Sequence, residues 1–304
     1  MLIRWRGRDL HVHEWSPGDP VAVVQIVHGM SEHGARYASL ANTLAAAGFA
    51  VYAQDLPGHG ECIAEGDARG HFADRQGWHF ALASVEAVKD RLRQQHPSLP
   101  LFMLGHSMGS FLVQHLLLDQ SRDLAGVVLS ATTGSLGPLR AIGLALLRTE
   151  VAIKGPRHPS ALGEALTFGA FNRRFRPNRT AFDWLSRDPE EVDRYIADPA
   201  CGFRVTAALW ADLLAACSSL NSPRRLRPVD PNLPLLLMGG GADPVSQGAS
   251  GPRRLAGAYR KAGVQDVTVR IYPGARHELL HETNREQVEA NLLAWLRTHL
   301  RGRG

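Results

Sequence analysis

The sequence predicts an α/β fold: a mostly parallel eight-stranded sheet with helices on both faces and an inserted helical segment. Apolar runs of strand length recur along the chain with segments of helical period between them, the pattern of a parallel sheet covered on both sides. The pentapeptide Gly105-His106-Ser107-Met108-Gly109 directly follows the apolar run Leu101 to Leu104 and opens the apolar-rich stretch Phe111 to Leu118. A strand, a sharp turn and a helix therefore succeed one another there. About a hundred residues separate the run ending near Ser130 from the run starting at Leu235, far more than the roughly 2 to 6 that a strand–helix connection takes.

In chain order, strands are expected at Leu2 to Arg6, His11 to Trp15, Ala22 to Val27, Ala50 to Gln54, Leu101 to Leu104, Gly126 to Ser130, Leu235 to Met238 and Val267 to Ile271. Tyr37, Leu40, Ala41 and Leu44 share one face of a helix that Gly48 stops, and Ala81, Val85, Val88 and Leu92 form the stripe of a second, ended by Pro97. A third helix begins inside the pentapeptide, and Val288, Leu292, Trp295, Leu296 and Leu300 mark a last amphipathic one. The long connection is helical in pattern, with Leu139, Ile142 and Leu146 on one face and Phe168, Phe171 and Phe175 on another, interrupted by Gly155-Pro156 and Pro177. The expected organisation is a core of residues 1–135 and 231–304 with a helical cap at 136–230.

At 304 residues the chain suits one α/β core plus an insertion. Its 44% hydrophobic and 21% charged residues are ordinary for a soluble globular protein. No apolar stretch approaches the ~18 to 20 residues of a membrane span, and charge interrupts the opening Met-Leu-Ile-Arg-Trp-Arg, unlike a secretory signal. A cytoplasmic protein is expected. Cys62, Cys201 and Cys217 lack disulfide or metal-ligand patterning and read as free thiols; no metal and no cofactor are expected. The net charge of +5 raises the question of nucleic acid, but the arginines are spread along the chain and no nucleic-acid-binding signature accompanies them. Two local clusters, Arg173, Arg174, Arg176 and Arg179, and Arg224, Arg225 and Arg227, read as solvated faces.

The pentapeptide carries the chemistry. A serine in so sharp a turn adopts strained backbone angles, and small neighbours such as Gly105 and Gly109 keep the turn clear of the adjoining strand and helix. The helix N-terminus then aims backbone N–H groups at the place where negative charge develops. A nucleophilic Ser107 requires a base, and the base an orienting acid, neither of which must be near in sequence. Asp243 follows the strand at Leu235 to Met238 in Gly239-Gly240-Gly241-Ala242-Asp243-Pro244-Val245, and His277 follows the strand at Val267 to Ile271 in Tyr272-Pro273-Gly274-Ala275-Arg276-His277-Glu278. Glu278 and Asp266 are the weaker candidates for the acid: the first adjoins His277 itself, the second precedes its strand. The backbone N–H groups of Met108 and Met30 suit an oxyanion hole, with Gly29 allowing the close approach of the second loop. His28, His33, His59 and His106 read as loop-tying histidines and His281 as a surface one.

Five motifs stand in order: His28-Gly29-Met30-Ser31-Glu32-His33, Asp55-Leu56-Pro57-Gly58-His59-Gly60, Gly105-His106-Ser107-Met108-Gly109-Ser110, Gly241-Ala242-Asp243-Pro244-Val245 and Gly274-Ala275-Arg276-His277-Glu278. On these motifs the chain resembles, over nearly its whole length, the monoacylglycerol lipase and lysophospholipase group of serine α/β-hydrolases. In the cap, Asp183 to Asp188 and Asp198 to Phe203 look like bacterial members. The resemblance implies the α/β-hydrolase fold, a triad of Ser107, Asp243 and His277, an oxyanion hole at Met30 and Met108, and a helical cap shaping an acyl pocket. It also implies cleavage of lipid-like carboxylic esters, monoacylglycerol or lysophospholipid, through an acyl-enzyme. One departure is Glu61-Cys62 after Gly60, where the group usually carries a small hydroxyl residue soon after.

Leu139, Ile142, Leu146, Phe168 and Trp210 are the candidate wall residues of the pocket. The expected partner is a small-molecule ester or lipid, with membrane or micelle contact through an exposed apolar cap; no nucleic acid or protein partner is indicated. Three alternatives remain open. A carboxylesterase of small substrates would share every motif. A serine aminopeptidase-type hydrolase would need acidic cap groups, for which Glu190, Glu191 and Asp193 are available, although they read as a solvated helix start. A non-catalytic binding protein of the same fold would usually have lost a triad member.

Overall fold

The computed structural model describes residues 1–134, 140–218, 220 and 222–300. Its strands are β1 (Leu2–Trp5), β2 (Arg8–Trp15), β3 (Ala22–Val27), β4 (Phe49–Gln54), β5 (Leu101–His106), β6 (Gly126–Ser130), β7 (Leu235–Gly240) and β8 (Val267–Tyr272). They form one sheet in the order β1-β2-β4-β3-β5-β6-β7-β8. The β1–β2 and β2–β4 pairs are antiparallel and the rest parallel. Every residue of β3 to β7 is buried, which is why these strands read as nearly continuous apolar runs. Towards the antiparallel edge, β2 alternates buried with partly exposed positions over Leu10 to His13, as one solvated face requires.

The helices are α1 (Ala38–Ala46), α2 (Gly77–Gln95), α3 (Met108–Gln120), α4 (Arg140–Lys154), α5 (Ala161–Leu166), α6 (Phe168–Asn172), α7 (Pro189–Ala197), α8 (Ala207–Ala216), α9 (Pro223–Leu226), α10 (Ser250–Ala262) and α11 (Arg285–Leu300). Leu40 and Leu44 of α1 and Val288, Leu292 and Trp295 of α11 bury against one face of the sheet. Val85 and Val88 of α2, Leu112 and Leu116 of α3 and Leu255 and Tyr259 of α10 bury against the other. Helix α10 is the one long core helix that the sequence reading left out. Gly251, Pro252 and Gly257 weaken its helical signature, while Leu255, Ala256 and Tyr259 supply the face that tertiary packing rewards.

Helices α4 to α9 all lie between β6 and β7. This segment is tied to the core by main-chain bonds, Gly202 N–H to the Ser31 carbonyl at 2.9 Å and Thr206 N–H to the Gly70 carbonyl at 3.0 Å. It therefore leans on the loops that follow β3 and β4. No described helix is long and apolar enough to cross a membrane.

Candidate active site

Ser107 stands between β5 and α3 at φ 50° and ψ −118°, a left-handed backbone that only surrounding structure holds a serine in. The two flanking glycines make the turn fit. A Cβ on Gly109 would lie 2.1 Å from the Val27 carbonyl oxygen and 2.4 Å from that of His28, and one on Gly105 would lie 2.7 Å from the Gly109 carbonyl oxygen. Each contact is closer than non-bonded atoms tolerate. Met108 is the first residue of α3, so its N–H belongs to the positive end of that helix.

The loops after β5, β8 and β7 bring three side chains into one line. His277 Nε2 lies 2.9 Å from Ser107 Oγ and its Nδ1 lies 3.0 Å from Asp243 Oδ1. Asp243 is fully buried, and its carboxylate accepts the Val245 N–H at 2.9 Å and the Ser246 N–H at 3.3 Å. Burial favours a neutral Asp243 carboxyl, but the His277 charge and these donors outweigh it and hold its pKa below the usual carboxylate range. Burial likewise disfavours an imidazolium at His277, yet the Asp243 carboxylate prevails and raises its pKa above the ordinary value. The arrangement can therefore take a proton from the Ser107 hydroxyl and stabilise the imidazolium that results.

Glu278 and Asp266 are engaged elsewhere. Glu278 receives both guanidinium nitrogens of Arg36, at 2.7 and 2.8 Å, and Asp266 lies 3.0 Å from His299 Nε2. The Arg36 guanidinium also reaches Glu32 Oε2 at 2.7 Å, and Glu32 Oε1 accepts the Gly29 N–H at 2.5 Å and the Tyr37 hydroxyl at 3.0 Å. Burial opposes the Glu32 charge, but Arg36 wins and holds that carboxylate ionised well below its usual range. This buried group pins Gly29, the residue before Met30. Sequence reasoning placed Glu32 inside a motif without a role, because nothing local shows that its partners are Arg36 and, through Arg36, Glu278.

The histidines near the motifs tie loops together. His28 Nδ1 lies 2.7 Å from the Gly29 carbonyl while its Nε2 accepts the Leu56 N–H at 2.9 Å, and His33 Nε2 lies 2.8 Å from Asp198 Oδ2. Burial lowers the pKa of His59 to about 3 and of His106 to about 4, so both are neutral at ordinary pH. His281 corrects an expectation: it is not a surface residue. Its Nε2 lies 3.1 Å from the Arg36 carbonyl and its ring sits edge-on to Tyr37. A short 3-10 turn over Leu279 to His281 folds the ring back onto the core. At the departure Glu61-Cys62, the Glu61 N–H reaches Asp55 at 2.9 Å and Cys62 Sγ accepts the His11 N–H at 3.0 Å, so the thiol takes up a structural contact. Burial pushes that thiol up to about 12.

Ser107 opens into an apolar pocket of about 70 Å³ whose lining includes Met30, Met108, Phe111, Phe168, Trp184 and Trp210. It shares Phe171, Trp210, Leu214 and Val245 with a neighbouring groove of about 340 Å³ that reaches Ile142 and Leu146 on α4. Phe168 and Trp210 therefore line the same pocket as the serine. Ile142 and Leu146 stand at the outer groove and are 60% and 45% exposed. Leu139 lies outside the described residues. Trp184 is a wall residue the sequence reading missed: its ring centre lies 4.9 Å from that of His277 and 5.2 Å from that of Phe168, nearly parallel to the latter. It lies in the turn stretch just before α7, where no periodicity marks a buried face.

Glu190, Glu191 and Asp193 are absent from the residues lining the Ser107 pocket. Glu190 and Glu191 pair with Arg194 and Asp193 pairs with Arg179. Among the described residues, two clusters have donor atoms close enough to share a metal ion, His11, His13 and Asp55, and His33, Asp198 and Cys201.

Residues 18–284 match the family described as "Serine aminopeptidase, S33". The chain is 29% identical over 287 residues to a Mycolicibacterium smegmatis protein named monoacylglycerol lipase, an alignment spanning 94% of this chain and 92% of that one. It is 30% identical over 310 residues to a Homo sapiens protein named monoglyceride lipase, spanning 99% and 91% respectively. Among solved structures, a thermostable carboxyl esterase of Bacillus coagulans in complex with glycerol superposes at a TM-score of 0.90 over 99% of this chain and 98% of that one, at 24% identity. The two share a fold.

Proposed function

The chain belongs to the serine aminopeptidase S33 family of hydrolases, and from that premise we propose that it hydrolyses carboxylic esters of lipid-like alcohols, monoacylglycerols first among them. The observation that carries the reading is the hydrogen-bonded line Ser107–His277–Asp243 at the base of an apolar pocket. Relatives named monoacylglycerol lipase and monoglyceride lipase, aligned over nearly the whole chain, support the substrate class.

In this mechanism Ser107 Oγ attacks the ester carbonyl carbon while His277 Nε2 takes its proton. The Met30 and Met108 N–H groups hold the tetrahedral oxyanion, which is where a helix N-terminus is most effective. His277 then gives the proton to the leaving alcohol, producing an acyl-enzyme. Water, deprotonated by the same imidazole, attacks the acyl carbon and restores Ser107. Asp243 fixes the imidazole tautomer and stabilises the imidazolium in both halves. The acyl chain lies along Phe168, Trp184 and Trp210 towards Ile142 and Leu146, and residues 136–230 act as a cap over the core. The reaction requires no metal or cofactor.

An amine-binding peptidase is the poorer reading. The carboxylates near Ser107, Glu32 and Glu278, are both bonded to Arg36, and each of their oxygens already accepts a hydrogen bond, so binding a substrate ammonium would compete with contacts the fold already makes. The test is a chain-length series of p-nitrophenyl esters run beside monoacylglycerol, lysophosphatidylcholine and an aminoacyl-naphthylamide, with Ser107→Ala as blank. Turnover of monoacylglycerol with a maximum at longer acyl chains is expected. Cleavage of the naphthylamide with the esters untouched would refute the proposal.

A further inference from the structure

On the antiparallel side of the sheet, away from the Ser107 pocket, β2 carries His11 and His13 two residues apart, so both side chains leave the same face of the strand. Asp55, one residue past β4, reaches that face. His13 Nε2 lies 3.3 Å and His11 Nδ1 lies 3.5 Å from Asp55 Oδ2, and the donor atoms of the three residues all lie within 4.8 Å of one another. The backbone scaffold is rigid: β2 and β4 are paired through Val12 and Gln54, and the Asp55 N–H bonds the His11 carbonyl at 2.9 Å.

One detail is poorly explained by protein contacts alone. His11 Nδ1 is a buried nitrogen with no hydrogen-bond partner among the described residues, which is costly for a polar atom. Asp55 Oδ1 is taken by the Gly34 N–H at 2.7 Å, while Oδ2 accepts the Glu61 N–H at 2.9 Å, is hydrogen-bonded to His13 Nε2 at 3.3 Å and also faces His11. An ion would replace the His13–Asp55 hydrogen bond and give His11 Nδ1 the partner it lacks. For Zn²⁺ with nitrogen and oxygen ligands at about 2.0 to 2.1 Å in a tetrahedron, ligand atoms are separated by about 3.3 to 3.4 Å. The two edges to Asp55, at 3.5 and 3.3 Å, lie close to that spacing, and the third lies within 4.8 Å. The His11 and His13 side chains keep 28% and 19% of their surface exposed, which gives an ion its entry path and a water the fourth position.

We propose that His11, His13 and Asp55 form a Zn²⁺ site that ties β2 to the loop following β4. Two imidazoles and one carboxylate are the donor set for a borderline divalent ion rather than Ca²⁺ or Mg²⁺, which take oxygen ligands. The site's effect is stabilisation, since an ion that binds only the folded chain adds its binding free energy to folding. Asp55 also holds the N–H groups of Gly34 and Glu61, so the ion would brace the loops on either side of the Arg36 and Glu32 network.

The experiment titrates the full, tag-free, metal-stripped chain with Zn²⁺ by calorimetry, follows Tm with and without the ion, and uses Co²⁺ as a spectroscopic reporter. The expected result is one Zn²⁺ per chain, a raised Tm and a tetrahedral Co²⁺ spectrum. His11→Asn and, separately, His13→Asn are expected to lower Zn²⁺ affinity at least about tenfold and to abolish the Tm rise, with metal-free ester turnover unchanged because neither residue lines the Ser107 pocket. Asp55 keeps its two backbone donors in both variants, so the fold is retained. Absence of stoichiometric binding, or Zn²⁺ binding undiminished in His11→Asn, would overturn the proposal; the latter would move the ion to His33, Asp198 and Cys201 or to surface histidines.

Discussion

The two sides of the pocket are built on different supports. Ser107, Asp243 and His277 sit on loops that leave β5, β7 and β8, and all are held by groups packed to contact, with no room for a methyl at Gly105 or Gly109. The opposite wall, from Phe168 and Trp184 out to Ile142 and Leu146, comes from the segment between β6 and β7 and ends in exposed apolar side chains. Chemistry tolerates misplacement of only a fraction of an ångström. An acyl chain needs only apolar surface, and many side chains supply that. The contrast teaches that tolerance to substitution should fall steeply from α4 inward to the serine.

That gradient can be broken or sharpened by measurement. The largest effect is expected from Ser107→Ala, a loss in kcat of about 10⁶-fold with Tm preserved; near-native turnover of a p-nitrophenyl ester would move the nucleophile elsewhere. Asp243→Asn is expected to cost about 10⁴-fold in kcat and to change the pH profile. The base must be neutral to work, and Asp243 raises the His277 pKa, so activity in the native chain is lost as pH falls through a value above the ordinary imidazole pKa of about 6.5. Removing the carboxylate should shift that acid limb to lower pH, and an unmoved limb would assign it to another group.

Gly109→Ala tests the scaffold instead of the chemistry. A methyl 2.1 Å from the Val27 carbonyl oxygen should destabilise the fold by about 3 kcal/mol or more, seen as a lowered denaturation midpoint; an unchanged midpoint would mean that the elbow relaxes freely. Trp184→Ala, which strips the ring from His277 and Phe168, should cost about tenfold in kcat/KM, in keeping with an aromatic contact of about 0.5 to 1.5 kcal/mol. The smallest effect belongs to Ile142→Ser: less than about threefold on an acetate ester, growing with acyl length if the outer groove holds the chain. Equal effects at every chain length would separate α4 from substrate.

Much of this architecture was legible in the residues. All eight strands announced themselves, β3 to β7 because they are buried on both faces and so are mostly apolar. The elbow and the residues opposite it were legible because a strained serine, a carboxylate after a glycine-rich strand end and a histidine before the last helix leave local signatures. Helix α10 escaped because its glycines and proline argue against a helix that packing then enforces. Trp184 escaped because a turn residue has no period, and the Arg36, Glu32 and Glu278 group because Arg36 and Glu278 are 242 residues apart in sequence.

By itself the sequence determined the α/β class, the order of the strands along the chain and the identity of Ser107, Asp243 and His277 as the candidates for catalysis, since each depends on residue type and local pattern. Only the tertiary structure decided that His277 stands between Ser107 and Asp243, that Glu32 pins Gly29, that Trp184 lies against His277, and that two histidines of β2 face Asp55. The reason is physical. Periodicity and turn chemistry act over a few residues, whereas a contact across the sheet exists only once burial of the two faces has fixed which strands are neighbours and in what register.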